Sequence, residues 1–260
     1  MLIFAKSCVK IEETYECARC DMKSLWGVPL LIFYPIAIIV FLMLFRLLIA
    51  NIKLKKSQYT AVSGNGLFKT IFDKGNYGEF LTFAMLEKMG ESKILTNIYL
   101  PLDDGTTTEV DLLLVNTHGI FVFESKNYSG WIFGDEKNKM WTQSLEGGKK
   151  NKFFNPIWQN KGHISAIDAY LDKQYTDMFY SFIIFSERCS LKKITVTSKN
   201  VLVIKRNTLI KELKNYMSST LPKLTEEQVD SIYEKLKVNT LANEETKKRH
   251  IAEVKSKHNL

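Results

Sequence analysis

A long uncharged stretch near the N-terminus constrains this chain more than any other feature. Residues 24–45 carry no charge, and residues 28–45 are almost wholly aliphatic or aromatic. Apolar residues continue past Arg46 to Ala50. Because a helix rises 1.5 Å per residue, about 20 apolar residues cross the ~30 Å hydrocarbon layer of a bilayer. We therefore predict one transmembrane helix over residues 25–50. A buried core helix is the alternative, although core helices seldom run this long.

The position of this stretch favours a permanent anchor over a cleaved signal peptide. It begins more than 20 residues into the chain, and no small-x-small cleavage site follows it. We expect residues 1–24 to form a polar N-terminal segment and the protein to cross the membrane once. Lysine and arginine flank both ends of the span, so the positive-inside rule gives only a slight bias. We favour a cytoplasmic location for the C-terminal part because of the motifs that it contains, which are described below.

Three cysteines precede the span. Cys17 and Cys20 form a C-x-x-C pair, which together with Cys8 suits three zinc ligands or a redox pair. No second C-x-x-C pair occurs to complete a zinc site. Incidental thiols, or a disulfide if the N-terminus is extracytoplasmic, are the favoured alternatives.

The composition of the chain places an excess of basic residues after the span. The 45% hydrophobic and 25% charged residues exclude a mostly disordered or fibrous protein. The formal net charge is +8, whereas residues 1–50 hold five Lys+Arg and four Asp+Glu. The basic surplus therefore lies in the C-terminal part. It suits an anionic partner, either nucleic acid or a lipid surface.

The chain after the span divides into a linker, a domain and a C-terminal part. Residues 51–73 are polar and basic and include Ser-Gly-Asn-Gly, which indicates a linker. A domain is predicted over residues 74–190, followed by a strand, helices and a basic tail over residues 191–260. The first helix covers residues 75–89, where apolar residues share one face and Gly90 provides a C-cap.

Extended segments follow this helix. The second and third are continuous apolar runs, as expected of strands covered on both faces. Short polar turns separate the first three, so we expect antiparallel neighbours. The predicted strands cover residues 94–102, 108–115, 119–124, 131–133, 180–185 and 201–204, and another begins near residue 140.

Two further helices have clear start signals. Asn155 is a suitable N-cap and Pro156 a suitable first helical residue, and this helix is predicted to run to about Lys173. Residues 225–228 form a capping box that opens a helix to about residue 237, and a Lys-rich helix or tail covers 243–258. The element order predicts one α/β domain.

Acidic residues and a lysine lie at the ends of two apolar strands. Alternation along a strand places Glu109 and Asp111 on one face, and the same rule pairs Glu124 with Lys126 on the next strand. A metal ion would resolve the cost of charges beside a core. Two converging carboxylates form the incomplete oxygen shell that Mg²⁺ prefers. Lys126 would then orient or deprotonate the attacking water, or neutralise the phosphate. A plain Glu–Lys pair at a strand end is the alternative.

Taken in order, these motifs resemble the nuclease-related domain (NERD), a branch of the PD-(D/E)XK nuclease-like superfamily. The resemblance implies a restriction-endonuclease-like α-β-β-β-α-β core with a mixed central sheet. The matching segments are GNYGE (75–79), EVDLLLV (109–115), HGIFVFESKNYSG (118–130), Trp141, NPIWQ (155–159) and His163.

The resemblance also implies roles for individual residues. Asp111 and Glu124 would bind the metal, Mg²⁺ or Mn²⁺, and Lys126 would be the catalytic lysine. Glu79 would add an acidic group from the first helix, and Gln159 a polar group from the second. Val110 stands where the superfamily's name has proline, a position that varies within the superfamily.

Additional polar residues are candidates for contact with nucleic acid. Lys149, Lys150 and Lys152 lie in a Gly-Gly-Lys-Lys-Asn-Lys run that suits a phosphate-contacting loop, with a solvated loop as the alternative. His163 shares a helix face with Gln159 at i+4 and either contacts phosphate or makes a local hydrogen bond. For Gln159 a solvated surface position is also open.

Together these features predict a membrane-anchored, Mg²⁺-dependent nuclease acting on nucleic acid, with DNA ahead of RNA. The lipid bilayer would be its second partner, through residues 25–50. A non-catalytic module that binds nucleic acid or tethers a protein at the membrane is the main alternative. A membrane-assembly protein that oligomerises through its span is another. The sequence leaves the oligomeric state open.

Overall fold

A computed structural model describes residues 33–90, 93–102, 104–241, 245–246, 248–250 and 252. It divides the chain into two compact units, residues 1–53 and residues 54–260. The cysteines at positions 8, 17 and 20 lie outside the described residues, so the predicted C-x-x-C site is not part of the structure. Most of the predicted segment 243–258 lies outside them as well.

In its described part, the N-terminal unit consists of one long helix, α1 (Phe33–Lys55), whose last two residues belong to the second unit. Its mean hydropathy reaches 2.4, and only 6% of its apolar window is buried. At 1.5 Å per residue, 23 residues extend about 35 Å. The helix is therefore long and apolar enough to cross a membrane. It continues to Lys55, past the predicted end at residue 50, and residues 25–32 of the predicted span lie outside the described part.

The predicted linker is largely helical, which corrects the expectation for residues 51–73. Two short helices follow α1: α2 (Tyr59–Ser63) and α3 (Leu67–Phe72). The Tyr59 ring is fully buried, and its centroid lies 5.4 Å from that of Phe80 and 5.5 Å from that of Phe83. A polar composition misled the prediction because a single buried aromatic side chain is enough to dock a short helix on a core.

A five-stranded mixed sheet forms the centre of the second unit, in the order β1-β2-β3-β7-β9. The first three strands are antiparallel neighbours, whereas β3, β7 and β9 are parallel. This confirms both the predicted meander and the mixed sheet. The strands are β1 (Lys93–Pro101), β2 (Thr107–Asn116), β3 (Gly119–Lys126), β7 (Phe179–Phe185) and β9 (Val201–Lys205).

Helices cover both faces of this sheet, which explains why its strands are continuous apolar runs. On one face, α4 and α6 pack against side chains such as Phe121 and Phe123. On the other face, α5 and α7 pack against side chains such as Leu113 and Val122. The order α4-β1-β2-β3-α5-β7 is the predicted α-β-β-β-α-β core. The helices are α4 (Lys74–Leu86), α5 (Pro156–Tyr170), α6 (Leu209–Ser219) and α7 (Glu226–Lys237).

The helix ends follow the predicted signals in most places. A 3-10 segment, Glu87–Met89, ends α4, and Gly90 then adopts φ 87. Thr225 and Gln228 complete both hydrogen bonds of the capping box. Helix α5 stops at Tyr170, three residues earlier than predicted, because Asp172 and Lys173 adopt left-handed conformations.

A second, four-stranded sheet with the order β6-β5-β4-β8 packs against the first. The ring of Trp141 lies flat against Phe185 of β7, with centroids 6.2 Å apart and planes 5° apart. A Cβ at Gly134 would lie 2.1 Å from this ring, so only glycine fits beneath it. The predicted loop at 147–152 belongs partly to β6. The strands are β4 (Gly130–Asp135), β5 (Met140–Ser144), β6 (Lys150–Phe154) and β8 (Cys189–Thr195).

Asn155 joins the second sheet to the start of α5. Its carboxamide oxygen accepts a hydrogen bond from the Ile157 N–H at 2.9 Å, which caps the helix. Its amide nitrogen donates to three backbone carbonyls of the β4–β5 turn, those of residues 135, 136 and 138. The side chain is fully buried. One asparagine therefore fixes where α5 begins relative to the second sheet.

We predict that Asn155→Ala lowers the free energy of unfolding by about 3 kcal/mol, because it removes the cap and the hydrogen bonds that join the start of α5 to the β4–β5 turn. Asn155→Ser keeps a capping oxygen and loses only the amide donors, so its loss should be smaller by about 1 kcal/mol. Urea unfolding of the full-length variants, followed by tryptophan fluorescence, measures both. An Ala variant within 0.5 kcal/mol of wild type would contradict this role, since that is the range of neutral surface changes.

Candidate active site

The adjacent ends of β2 and β3 bring the predicted acidic residues together. The last ladder partners of these strands are Leu112 and Phe123, so Asp111 and Glu124 form the next opposing pair. On the other side, the β1–β2 register places Asn97 opposite Asp111. Asn97 has φ 51, a left-handed conformation that interrupts the pleat of its strand. The two carboxylates therefore meet just beyond the point where pairing between β2 and β3 stops.

Glu124 is held from both sides in a buried position. Its side chain is 1% exposed. Oε1 lies 2.6 Å from Lys126 Nζ, and Oε2 lies 3.2 Å from His163 Nε2. Burial alone would raise the pKa of Glu124, but Lys126 and His163 outweigh this and lower the pKa below its ordinary value. The carboxylate is thus charged and fixed in orientation.

Lys126 bridges β3 and α5. Its Nζ also donates a 2.9 Å hydrogen bond to Gln159 Oε1. Burial would lower the pKa of Lys126, but Glu124 and Asp111 outweigh that effect and raise it. An ammonium group has three N–H donors, and two of them are engaged by these contacts. The third is left for a water molecule or a phosphate oxygen.

His163 is enclosed and uses both ring nitrogens within the protein. Nε2 faces Glu124, and Nδ1 lies 2.9 Å from Thr108 Oγ1. The side chain is 7% exposed. Burial would lower its pKa, but the hydrogen bond to Glu124 raises it. Of the two predicted roles of His163, this arrangement favours a local hydrogen bond over direct contact with phosphate. His163 is therefore a positioning residue for Glu124.

Excess negative charge accumulates around Asp111. Burial, and then the charge of Asp111, raise the pKa of Glu79 well above its ordinary value. Burial, and then the charge of Glu124, raise the pKa of Asp111 to about 7. Lys126 and His163 both pair with Glu124, so neither Asp111 nor Glu79 forms an ion pair within the described residues. The site lacks positive charge where these two carboxyl groups lie.

This unbalanced charge fits a divalent cation. Asp111 accepts one hydrogen bond, from the Ser125 N–H at a long 3.4 Å, so its oxygens are largely available as ligands. In the described part of the chain, no group of three or more His, Cys, Asp or Glu side chains is placed to hold a metal ion. Mg²⁺ does not need one, because it is commonly bound by one or two carboxylates, with water and phosphate oxygens completing the shell. The donor set of Asp111 and Glu124 suits that ion.

The structure does not bring every candidate residue to this site. Lys149 lies in the turn before β6, and Lys150 and Lys152 lie on β6 itself. This strand pairs only with β5, at the outer edge of the second sheet. All three lysines are exposed, and within the described residues the ion pairs of the acidic cluster involve only Lys126 and His163. Their contact with nucleic acid stays a prediction, now for a strand edge instead of a loop.

Sequence reasoning missed several residues that support the site. Thr108 orients His163, and Tyr99 donates a 2.5 Å hydrogen bond to Glu109 from the neighbouring strand. The antiparallel register pairs Tyr99 with Glu109 directly. A register drawn from the predicted strands would have found the contact between Tyr99 and Glu109. The contact between Thr108 and His163 depends on the path of α5, so no local sequence signal predicts it.

Comparison with known proteins agrees with this arrangement. The model of the nuclease-related domain family matches residues 74–186. An uncharacterized protein from Bacillus anthracis is 36% identical over 180 residues, which cover 68% of this chain and 82% of that protein. No solved structure matches the chain significantly.

We predict that Asp111→Asn raises stability in EDTA by about 1 kcal/mol, because it removes a charge from a crowded, metal-free cluster. A carboxyl group whose pKa is raised in the folded state destabilises that state as pH rises. The gain should therefore be absent below about pH 4, grow up to about pH 7 and then level off.

Thermal unfolding of the full-length protein between pH 4 and pH 8 measures this effect. Glu146→Gln is the matched control, since Glu146 is exposed and lies outside the cluster. Added Mg²⁺ should raise the unfolding temperature of wild type more than that of Asp111→Asn. A loss of stability in EDTA on Asp111→Asn would contradict the crowding of charge.

Proposed function

Because the chain belongs to the nuclease-related domain family, we propose that it is a membrane-anchored, Mg²⁺-dependent nuclease that hydrolyses phosphodiester bonds, in DNA ahead of RNA. One observation carries the proposal: Asp111, Glu124 and Lys126 converge just beyond the point where pairing between β2 and β3 stops. A fold that had lost catalysis would have no need to keep uncompensated carboxylates beside a buried lysine.

In this proposal Asp111 and Glu124 would hold Mg²⁺, or Mn²⁺ in its place. Bound there, the ion activates water and stabilises negative charge that develops on the phosphate. Glu124 is kept in one orientation by Lys126 and His163, which fixes half of the ligand set before substrate arrives. Glu79, whose pKa is raised by burial and by Asp111, is placed on α4 to hydrogen-bond water near the same position.

Lys126 is the proposed catalytic lysine. Two of its N–H groups are held by Glu124 and Gln159, so the direction of the third is set by the protein. A fixed cationic donor of this kind stabilises the charged transition state without reorganising during the reaction. Gln159 contributes indirectly by orienting Nζ. Its loss should therefore reduce the rate less than loss of Lys126 itself.

We predict that full-length protein in detergent cleaves DNA in the presence of Mg²⁺ or Mn²⁺, and that Asp111→Ala and Lys126→Ala each reduce the rate by about 100-fold or more. RNA is tested in parallel. Lys214→Ala, an exposed lysine on α6, is the matched control and should be unaffected. The assay uses the whole chain because Tyr59, close to the span, belongs to the core.

Two outcomes would remove the nuclease proposal. One is no cleavage of any substrate, and the other is cleavage that both alanine variants retain. Salt-sensitive binding of nucleic acid without cleavage, unchanged by Asp111→Asn, would support the non-catalytic alternative instead.

The membrane location rests on α1. Its apolar window is exposed, as expected of a helix that meets lipid. Lys53, Lys55 and Lys56 follow the apolar part and suit anionic lipid headgroups of the cytoplasmic leaflet. On this basis we propose that the nuclease domain lies in the cytoplasm, where nucleic acid is available.

We predict that the protein remains in the membrane pellet after extraction at high pH and that deletion of residues 25–50 releases it. A reporter protein that is active only in the cytoplasm should be active when it is fused after Leu260. Release of wild type by high pH would contradict an integral span, and an extracytoplasmic reporter would reverse the orientation.

A further inference from the structure

A basic cavity lies beside the end of β3, next to the catalytic lysine in sequence. Its volume is about 260 Å³, room for a phosphate group with several water molecules. Three cationic side chains line it, those of Lys74, Arg188 and Arg206, and one anionic side chain, that of Glu187. Its remaining wall is formed by Ile71, Tyr77, Leu81, Asn127 and Ser186.

Arg206 is the unusual member of this lining. Its side chain is 2% exposed. Nη1 lies 3.4 Å from Glu187 Oε2, which is a long contact, and neither Nε nor Nη2 has a hydrogen-bond partner in the described part of the chain. Burial lowers the pKa of Arg206, and Glu187 only partly offsets that effect. A buried guanidinium with unpaired donors requires an explanation, because such groups are nearly always satisfied.

The two unpaired donors have the geometry that recognises an oxyanion. Nε–H and Nη2–H lie on one edge of the planar guanidinium and point in parallel, which is the fork that binds carboxylate or phosphate through two oxygens. A carboxylate is present in Glu187, but it contacts the other nitrogen. Within the described residues the fork of Arg206 has no partner, and the residue lines the cavity.

Asn127 connects this cavity to the catalytic residues. It follows Lys126 directly, so the two Cα atoms lie about 3.8 Å apart. Its side-chain amide donates to the Lys74 carbonyl at 2.7 Å, and its two oxygens each accept a 3.0 Å hydrogen bond from Arg188 Nη2. These contacts fix Lys74 and Arg188 relative to the end of β3. The cavity and the catalytic lysine are thus held by consecutive residues of one strand end.

We propose that this cavity is a subsite of the proposed nuclease that takes the terminal phosphate of a nucleic-acid strand, so that the enzyme acts on phosphorylated ends. This inference rests on the proposed function. Three cations and one anion give the cavity a net charge of about +2, which matches a phosphate monoester, whose charge is about −2 at pH 7. An internal phosphodiester carries only one negative charge. The charge match therefore favours a terminal phosphate over an internal one.

The test compares binding of labelled oligonucleotides that carry a 5′-phosphate, a 3′-phosphate or no terminal phosphate. Full-length protein is titrated in EDTA, so that no cleavage occurs, and fluorescence anisotropy is the readout. Wild type should bind one phosphorylated end about tenfold more tightly than the unphosphorylated strand, as expected for a charge-assisted bidentate contact. Arg206→Gln and Lys74→Ala should each remove most of this preference.

Variants and competitors separate the outcomes. Lys74 is exposed and its backbone contact survives in Lys74→Ala, so this variant remains informative if Arg206→Gln does not fold. Lys211→Ala, an exposed lysine on α6, is the matched control and should keep the preference. Equal binding of all three oligonucleotides, or a preference that both variants retain, overturns the proposal. Competition by inorganic phosphate without end preference would assign the cavity to free phosphate and also overturn it.

Failure here is distinguishable from failure of the nuclease proposal. Cleavage without end preference removes only the subsite. End preference without cleavage keeps the subsite and removes catalysis.

Discussion

The burial of Glu124 is the constraint on which the candidate site depends. A carboxylate this deep in an apolar sheet is tolerable only while both of its oxygens are paired. Lys126 supplies one partner from the same strand and His163 the other from α5. The position of α5 is set in turn by Asn155, which ties its first turn to the second sheet. A chain of hydrogen bonds therefore runs from the second sheet to the proposed metal ligand.

Local signals predicted the fold wherever one signal dominated. The apolar runs at β2, β3 and β7 are buried on both faces, so their sequence alone identifies them. The caps at Asn155 and Thr225 are equally local, since each side chain bonds the backbone two or three residues away. The mixed order of the sheet came from the resemblance to a family, not from the pattern of residues.

Elements that are stabilised mainly by tertiary contacts were not predicted from the sequence. Strands β6 and β8 contain lysines at alternate or adjacent positions and read as loops, yet they pair with β5 and β4 around the ring of Trp141. Helix α2 was assigned to a linker because few of its side chains, chiefly Tyr59 and Val62, pack against the core. At the site, strand alternation brought Glu124 and Lys126 together in advance. It could not show that His163 would turn inward, or that Arg206 would be buried with two of its donors unpaired within the described residues, because both depend on the packing of distant segments.

Strand β6 is an edge strand of the second sheet. The free side of β6 presents backbone N–H and C=O groups that are able to accept another strand. For the membrane-anchored protein proposed above, copies would encounter one another at high local density, which makes strand addition between them a hazard. Lys150 and Lys152 place positive charge along this edge. Whatever they contribute to substrate, like charges that face each other discourage two copies from joining into a continuous intermolecular sheet.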